Sequence, residues 1–538
     1  MKSKRQYFYN ALLMTAVALL MRTVSVSFNV YVSGKVGAEA MGLLSLVGGV
    51  FGFAVTLATS GIHLATVRTV AERLGETGGA ENKRCLVALF SYALFFGTLA
   101  TVLLFIFSYP IGVFVLKEPR TVRALRVLSV TLLPTALGSV FNGYFTAVRR
   151  AYKNAVSQIT EQAVKISTTT YLLVIVAPKT VEGSVLAIFA GGVVAECLSL
   201  ILNIVLYLID KRHYRHLKQQ KYGKKLSVSR VALPVAVSAY ARSGLLTIEH
   251  ILIPRGLKIH GVSSGAALAS YGALHSMALP VVLYPAAILS SFSALLIPEI
   301  TEQSAQQNRV EIRYIAGRVY QAALLFSVGV AGVMLLLSGV IGNTLYDSKE
   351  VAYFIKMLAP LVQIMYLDTA TDALLKGLGE QVYSMNVNIA DAFISVICVF
   401  IFVPIMGING YLLTIYITEI FNAALSVTRL LKISGFRPRV PRLLLRPLFC
   451  TVGATALARP LLLWLSLPAR GGMLAVQILL VSFLYILLLF LTKTLRREDA
   501  KWLFTSLFAS REPQNARKNA QNTNFCKFEA KDLQNLHK

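Results

Sequence analysis

Several charged side chains lie within runs of apolar sequence where charge is costly, so each is a candidate for function before any fold is considered. Arg22 is followed by Thr23, Ser25, Ser27 and Asn29; at helical spacing Arg22, Ser25 and Asn29 share one face. Arg242 sits in a later apolar run beside Ser238 and Ser243. A guanidinium is a planar fork that stays charged and matches phosphate oxygens, so two of them at similar depth suit a phosphate or diphosphate ligand. The alternative is that each arginine pairs with a neighbouring carboxylate and fixes helix packing. Glu249, seven residues beyond Arg242 and on about the same face, could bind Na+ or carry a proton. Asn388, Asp391 and Glu419 are candidate partners for it, against the alternative of structural salt bridges. Gln158 and Glu161 add polar groups to another run. Lys165, Glu196, Lys356 and Arg459 complete the set with Asp368 and Asp372, which stand one turn apart. Paired acids can be catalytic, but neither a His nor a metal-ligand set accompanies these two, so neither catalysis nor a metal site is expected.

These residues need membrane helices to position them. The chain has 538 residues, 56% hydrophobic and 14% charged, with a mean hydropathy of +0.64. A soluble domain carries roughly 25% charged residues, and no soluble core could hide this much apolar surface. A spanning helix needs about 20 mostly apolar residues. Such runs lie near 10–32, 42–66, 86–108, 122–147, 155–177, 184–209, 231–253, 272–297, 317–340, 352–375, 385–406, 409–430, 444–466 and 473–494. The expected fold is therefore an all-α polytopic membrane protein of about fourteen spans.

Lys and Arg concentrate in alternate connections, above all in the run KRHYRHLKQQKYGKK after Asp210, which places both termini in the cytoplasm. The net charge of +28 is thus a topology signal, and no nucleic-acid partner is expected. Met1 to Arg5 is basic and precedes an apolar run, as in a signal peptide. That run, from Ala11 to Val32, lacks a small-residue cleavage site and reads as a retained first span. Cys85, Cys197, Cys398, Cys450 and Cys526 are far apart and form no C-x-x-C pair, so no disulfide framework is expected.

The basic run divides the chain. Residues 1–210 form a first six-helix lobe, 211–230 a basic linker, 231–432 a second lobe, 433–495 two appended spans, and 496–538 a polar tail whose end reads as disordered. A weak echo at an offset of 230, aligning Ala147 with Gly377 and Arg68 with Pro298, suggests a parallel repeat. Pro134, Gly138, Pro234, Pro280, Pro285 and Pro360 are candidate hinges.

Three stretches resemble bacterial polysaccharide exporters and stage V sporulation protein B-like transporters, over about residues 5–490. The first is Thr59-Ser60-Gly61-Ile62 with Arg68 and Glu72. The second is Gly143-Tyr144-Phe145 followed by Asn154 through Gln162, and the third runs from Met277-Ala278-Leu279-Pro280 to Ile297-Pro298-Glu299. These proteins fall in the multidrug/oligosaccharidyl-lipid/polysaccharide exporter superfamily. The resemblance implies two six-helix lobes forming a V around a central cavity, two extra helices, and alternating access. It further implies that cationic groups receive a lipid diphosphate. Arg22 fits the arginine such flippases carry in their first helix. Glu249 stands where sporulation-type relatives have an acid followed by a run ending in Pro-Arg, here Ile253-Pro254-Arg255. The loop Arg149–Lys153 lacks the usual Pro-Thr, and His63 replaces a common proline.

The resulting expectation is a flippase for an undecaprenyl-diphosphate-linked sugar, either a lipid II-like peptidoglycan precursor or a polysaccharide repeat unit. Arg22, Arg242 and Arg255 would hold the diphosphate, with Ser25, Asn29, Gln158 and Glu161 lining the cavity. No cofactor is expected beyond Na+ or H+ coupling, and the partners are membrane lipid, the lipid-linked sugar and cell-wall synthesis enzymes around a monomer in the cytoplasmic membrane. A drug or cation antiporter of the same fold is the rival; it would favour an acidic, aromatic cavity, whereas the first helix here offers Arg22 and no acid. An enzyme is not expected, because every outer loop reads as short and the longest, 254–271, carries no acid.

Overall fold

A chain that crosses lipid must satisfy its backbone hydrogen bonds within each segment, and helices do so. The computed structural model describes residues 2–59, 61–76, 83–176, 180–213, 228–436, 438, 444–464 and 471–495, and these contain helices and turns but no strand. The polar tail, Cys526 and most of the basic linker lie outside the described residues.

The first half comprises α1 (Lys2–Thr59), α2 (Ile62–Glu76), α3 (Lys83–Pro110), α4 (Thr121–Ala147), α5 (Ala151–Tyr171) and α6 (Val181–His213). The second comprises α7 (Val228–Ile259), α8 (Ser264–Gly272), α9 (Leu279–Leu283), α10 (Ala286–Ala305), α11 (Arg309–Tyr346), α12 (Lys349–Leu358), α13 (Val362–Gly377), α14 (Gln381–Met406) and α15 (Ile408–Ser434). The last two helices, α16 (Arg446–Trp464) and α17 (Gly471–Leu491), pair with each other and lie against α11.

Among the described residues ten helical runs are long and apolar enough to cross a membrane, against the fourteen runs read from sequence. The first two sequence runs fall in one helical stretch, broken at Gly37, whose φ of 80° only glycine adopts without strain. The runs represented by α5, α7 and α16 do not meet the apolar criterion. The reason for α5 and α7 is their cargo of polar residues: Asn154, Ser157, Gln158, Glu161 and Lys165 on α5, and Arg242, Glu249 and His250 on α7. The helices least like lipid-facing spans are those richest in candidate site residues.

Two boundaries differ from the sequence reading. The run near 272–297 is part of a longer interrupted segment that begins at Ser264, winds into a π-helical stretch over Ala273–Ala278 and turns at Tyr284–Pro285 before α10. Proline there lacks the N–H that would continue the ladder. The outer loop read as 254–271 shrinks to the turn His260–Ser263, because Pro254, Arg255 and Gly256 continue α7. Pro360 likewise falls in a 3-10 turn, Ala359–Leu361, between α12 and α13.

Two close helix approaches rest on glycines. Gly143 on α4 faces Thr66 and the His63 carbonyl of α2, where a Cβ would meet the Thr66 side chain at 2.8 Å. Gly377, ending α13, faces Ile300 of α10, and Thr301 donates a hydrogen bond of 2.9 Å to the Gly377 carbonyl. Each contact brings a helix against an earlier one through a glycine, at positions that the 230-residue offset does not superimpose. Small residues let backbones approach where lipid offers no hydrophobic drive between helices.

The two halves meet along the later part of α1. Thr56 donates to the Ser243 hydroxyl (3.1 Å), and Thr247 of α7 donates to the Gly49 carbonyl (2.9 Å). Gly42 and Gly272 bring the backbones of α1 and α8 into contact; a Cβ on Gly42 would fall 1.9 Å from the Leu268 carbonyl oxygen. Ser276 donates to the Met41 carbonyl (3.1 Å) and bonds Ser45. Among the described residues Cys85, Cys197, Cys398 and Cys450 are in no disulfide.

Candidate functional site

The polar stripe of α1 lies on the face it shares with the second half. Thr23 hydrogen-bonds the Tyr284 hydroxyl (2.9 Å) at the turn before α10. Arg22, Thr23 and Ser25 are exposed, and Arg22 lies within electrostatic reach of Tyr366 on α13. Asn29 is half-buried, with its Oδ1 unpartnered. Among the described residues Arg22 forms no ion pair. An accessible, unpaired guanidinium midway along a span is what a bound anion requires.

Arg242 is also exposed and forms no close ion pair among the described residues, but it lies within electrostatic reach of Asp368 on α13 and Asp391 on α14. Around it the second half gathers carboxyls. Glu249 is 8% exposed and takes a hydrogen bond from Ser395 of α14, with Asp391 in electrostatic range. Asp368 lies beside Ser426 of α15, whose hydroxyl donates to Asn422 Oδ1 (3.3 Å), and Glu419 senses both Asp368 and Asp391. Asp368 and Asp391 each keep a buried Oδ1 without a donor. Asn388, one turn before Asp391, spends its amide N–H on the Ser384 carbonyl (2.8 Å). Among the described residues no three of His, Cys, Asp and Glu converge as a metal site. The arrangement is instead carboxylates interleaved with hydroxyl and amide oxygens, a donor set of the hard type that alkali ions take.

Asp368 and Asp372, paired by sequence spacing, separate in function. Asp372 bonds Lys376 (2.5 Å) and Ser384, whereas Asp368 turns to the acids of α14 and α15. Lys356 and Arg459 are exposed.

In the first half Glu161 takes a hydrogen bond from Ser199 of α6 (3.2 Å), and Gln158, on the neighbouring helical face, is exposed. Structure thus brings Glu161 together with α6 residues, apart from the acids of the second half.

Arg255 stands elsewhere. Thirteen residues beyond Arg242 along α7, at about 1.5 Å per residue, it is roughly 20 Å away along the axis. Its Nη2 donates to the Phe114 carbonyl (3.0 Å), and its Nε is buried without a partner. The structure therefore does not bring it to Arg22 and Arg242.

The neighbourhood of Arg255 is a charged clasp that sequence reasoning missed. Arg120 donates to Glu118 (2.6 Å) and to Glu39 of α1 (2.8 Å). Glu118, 8% exposed, also receives Ser264 of α8 (3.2 Å) and lies 3.9 Å from Lys258 of α7. Hydrogen bonding to Glu118, then to Glu39, raises the Arg120 pKa above the usual range for arginine, against the opposing effect of burial. Residues from the α3–α4 turn, α1, α7 and α8 thus tie the halves together at one end. Nothing in the local sequence announces this, because its members come from four distant segments. Arg120→Ala should loosen it: a cysteine at Gly265, which packs against the Glu39 carboxylate, should become several-fold more reactive to an impermeant maleimide. Unchanged reactivity would show that the clasp does not hold α8 to α1.

A family model described as polysaccharide biosynthesis protein matches residues 8–304, and the chain belongs to that family. It is 26% identical to stage V sporulation protein B of Bacillus subtilis (strain 168) over 446 residues, covering 80% of this chain and 85% of the relative. It is also 23% identical to sporulation protein YkvU of the same organism over 257 residues, 46% of this chain and 57% of the relative. The lipid II flippase MurJ, solved in an inward closed conformation, superposes with a TM-score of 0.66 at 12% identity, over 90% of this chain and all of that one. A multidrug resistance MATE family transporter, solved inward-facing, matches with a TM-score of 0.62 at 14% identity, over 78% of this chain and 98% of that one. The fold is that of these polytopic membrane transporters.

Proposed function

We propose that the protein is a flippase that moves an undecaprenyl-diphosphate-linked sugar across the cytoplasmic membrane by alternating access, with both termini cytoplasmic. The observation that carries this reading is Arg22, accessible and free of any described ion-pair partner on the face between the halves. Arg22 meets the diphosphate, and Arg242 assists from α7 while remaining under the influence of Asp368 and Asp391. Ser25 and Asn29 offer neutral hydrogen-bonding groups beside Arg22, where a sugar-phosphate head group would lie. The polyprenyl tail stays in lipid. Residues 1–210 and 231–432 act as the rocking lobes, and 433–495 as an accessory pair. The clasp of Glu39, Glu118, Arg120, Lys258 and Ser264 opens to release the head group outward.

Glu249, Asp391 and Glu419, joined by Asp368, couple this motion to Na+ or H+. Asn388 supports them through its bond within α14. The family membership and the sporulation relatives support a lipid-linked cell-wall precursor as substrate, and the protein acts as a transporter and not an enzyme. The acids of the second half favour a second reading, a drug or cation antiporter, and the MATE-type neighbour shares its fold. The test is flipping of labelled lipid II in proteoliposomes, with and without a sodium or proton gradient. Gradient-sensitive flipping supports the first reading. Absence of flipping by folded protein, with export of a cationic dye, supports the second.

A further inference from the structure

The seam between the halves holds two histidines that neither a diphosphate nor the acids of the second half explain. His250 follows Glu249 on α7 and so lies on another face of that helix, and His275 lies in the π-helical stretch Ala273–Ala278 after α8. Their rings meet edge to face with centroids 4.6 Å apart. Tyr271, one turn before His275, stacks on its ring at 5.4 Å and shares a hydrogen bond of 2.8 Å with His250 Nδ1. His250 also fills the notch left by Gly49 of α1, where a Cβ would fall 2.9 Å from the His250 Cβ and Cδ2. Beside His275, Ser276 donates to the Met41 carbonyl and bonds Ser45, both on α1. The three rings therefore sit where the second half touches the first.

One nitrogen of this cluster has nothing to bond. His275 Nδ1 is buried with no partner among the described residues. A hydrogen there would lack an acceptor, so the neutral ring keeps its hydrogen on the other nitrogen and leaves Nδ1 a bare lone pair, the place a second proton binds. No carboxylate is placed to meet that charge. The ionisable group in reach of His275 is His250, whose own charge could only repel it. Tyr271 is the ionisable residue of α8, and Glu249 and Tyr411 of α15 lie within reach of Tyr271. On α12, which packs against the π-helical stretch, Val351, Phe354, Ile355 and Leu358 are buried, while Lys349, Glu350, Tyr353 and Lys356 are exposed. α9 carries no ionisable side chain, and the stretch of α1 from Ala38 to Phe51 carries Glu39 alone, which Arg120 holds in the clasp. A buried cation without a counter-charge is costly, and water reaches this one only if the seam parts.

We propose that His275 is a proton-binding site set in the seam between the halves, and that a proton on its Nδ1 loosens α7 and α8 from α1 so that the halves part at the clasp end. The halves then stay joined at neutral pH and separate in acid. The inference rests on the rocking of the halves that the proposed function requires, and on no particular cargo. It gives the proton a seat apart from Asp391 and Glu419.

The test is the distance between nitroxides on Arg123→Cys and Lys349→Cys, both exposed positions and one in each half. It is measured by pulsed electron spin resonance on the full-length protein in detergent, with its native cysteines changed to serine. Samples at about pH 8 and about pH 5 bracket the range over which an imidazole charges. The expected result is a several-fold larger long-distance population at the lower pH, lost in His275→Phe, which keeps a ring on Tyr271 without a basic nitrogen. His275→Gln should behave alike and replaces it if the phenylalanine variant does not fold. Asp391→Asn should leave the shift in place. No shift in the parent protein, a shift that survives the His275 substitution, or one lost in Asp391→Asn overturns the proposal; the last would assign the proton to the acids of the second half. Because no transport is read, failure here leaves the flippase reading untouched, and failed flipping leaves this one untouched.

Discussion

Arg22→Ala is expected to lower lipid II flipping in proteoliposomes by roughly 10- to 100-fold, the range for losing a charge-assisted hydrogen bond to an anion. Arg22 is accessible, unpaired among the described residues, and set on a face whose neighbour Thr23 already bonds Tyr284 of the second half. Truncating it leaves no stranded partner carboxylate, so the protein should fold and be recovered in normal yield. Arg22→Lys should recover part of the activity, because an ammonium keeps the charge but loses the planar fork. Arg242→Ala should cost less for transport and more for stability, since it leaves Asp391 without the cation in its electrostatic range, whereas Asp368 keeps Lys376. Full flipping by well-folded Arg22→Ala would sink the diphosphate assignment and move the weight to a neutral or cationic substrate.

Asp391→Asn is expected to remove most of the gradient-driven part of transport, about tenfold, while leaving slow flipping without a gradient. Asp391 sits between Glu249 and Asp368, is sensed by Glu419, and holds a buried oxygen with no donor. The amide keeps its shape and removes its charge, so a change in coupling with unchanged assembly separates the ion from the fold. Glu249→Gln should act in the same direction, because Ser395 can still bond the amide oxygen. Asn388→Ala should do less, as its described bond is to its own helix. A full sodium or proton response in Asp391→Asn would place coupling elsewhere in the chain.

Much of this molecule was legible from sequence because lipid imposes a simple rule. Apolar runs of about 20 residues must become helices, and a charge within one must earn its place. That rule gave the all-α membrane fold and singled out Arg22, Arg242, Glu249, Asp391 and Glu419. Family motifs such as Ser157 through Gln162 added the transporter class, because they recur on a helix that packs by polar contacts. Helical periodicity also placed Arg22, Ser25 and Asn29 on one face. The run boundaries misjudged the α7–α8 connection, since Pro254 to Gly256, read as the start of the outer loop, continue α7 in the structure.

Tertiary structure decided which charges meet. Asp368 and Asp372 look equivalent by spacing, yet one faces Asp391 and Glu419 while the other bonds Lys376 and Ser384. Arg255 looks like a third phosphate ligand, yet it lies a long way up α7 and holds the Phe114 carbonyl. The clasp of Glu39, Glu118, Arg120 and Lys258, and the ring cluster of His250, Tyr271 and His275, were invisible beforehand. The physical reason is range: periodicity and hydropathy report on a helix and its solvent, whereas a hydrogen bond acts over about 3 Å between segments whose distance in sequence says nothing of their distance in space.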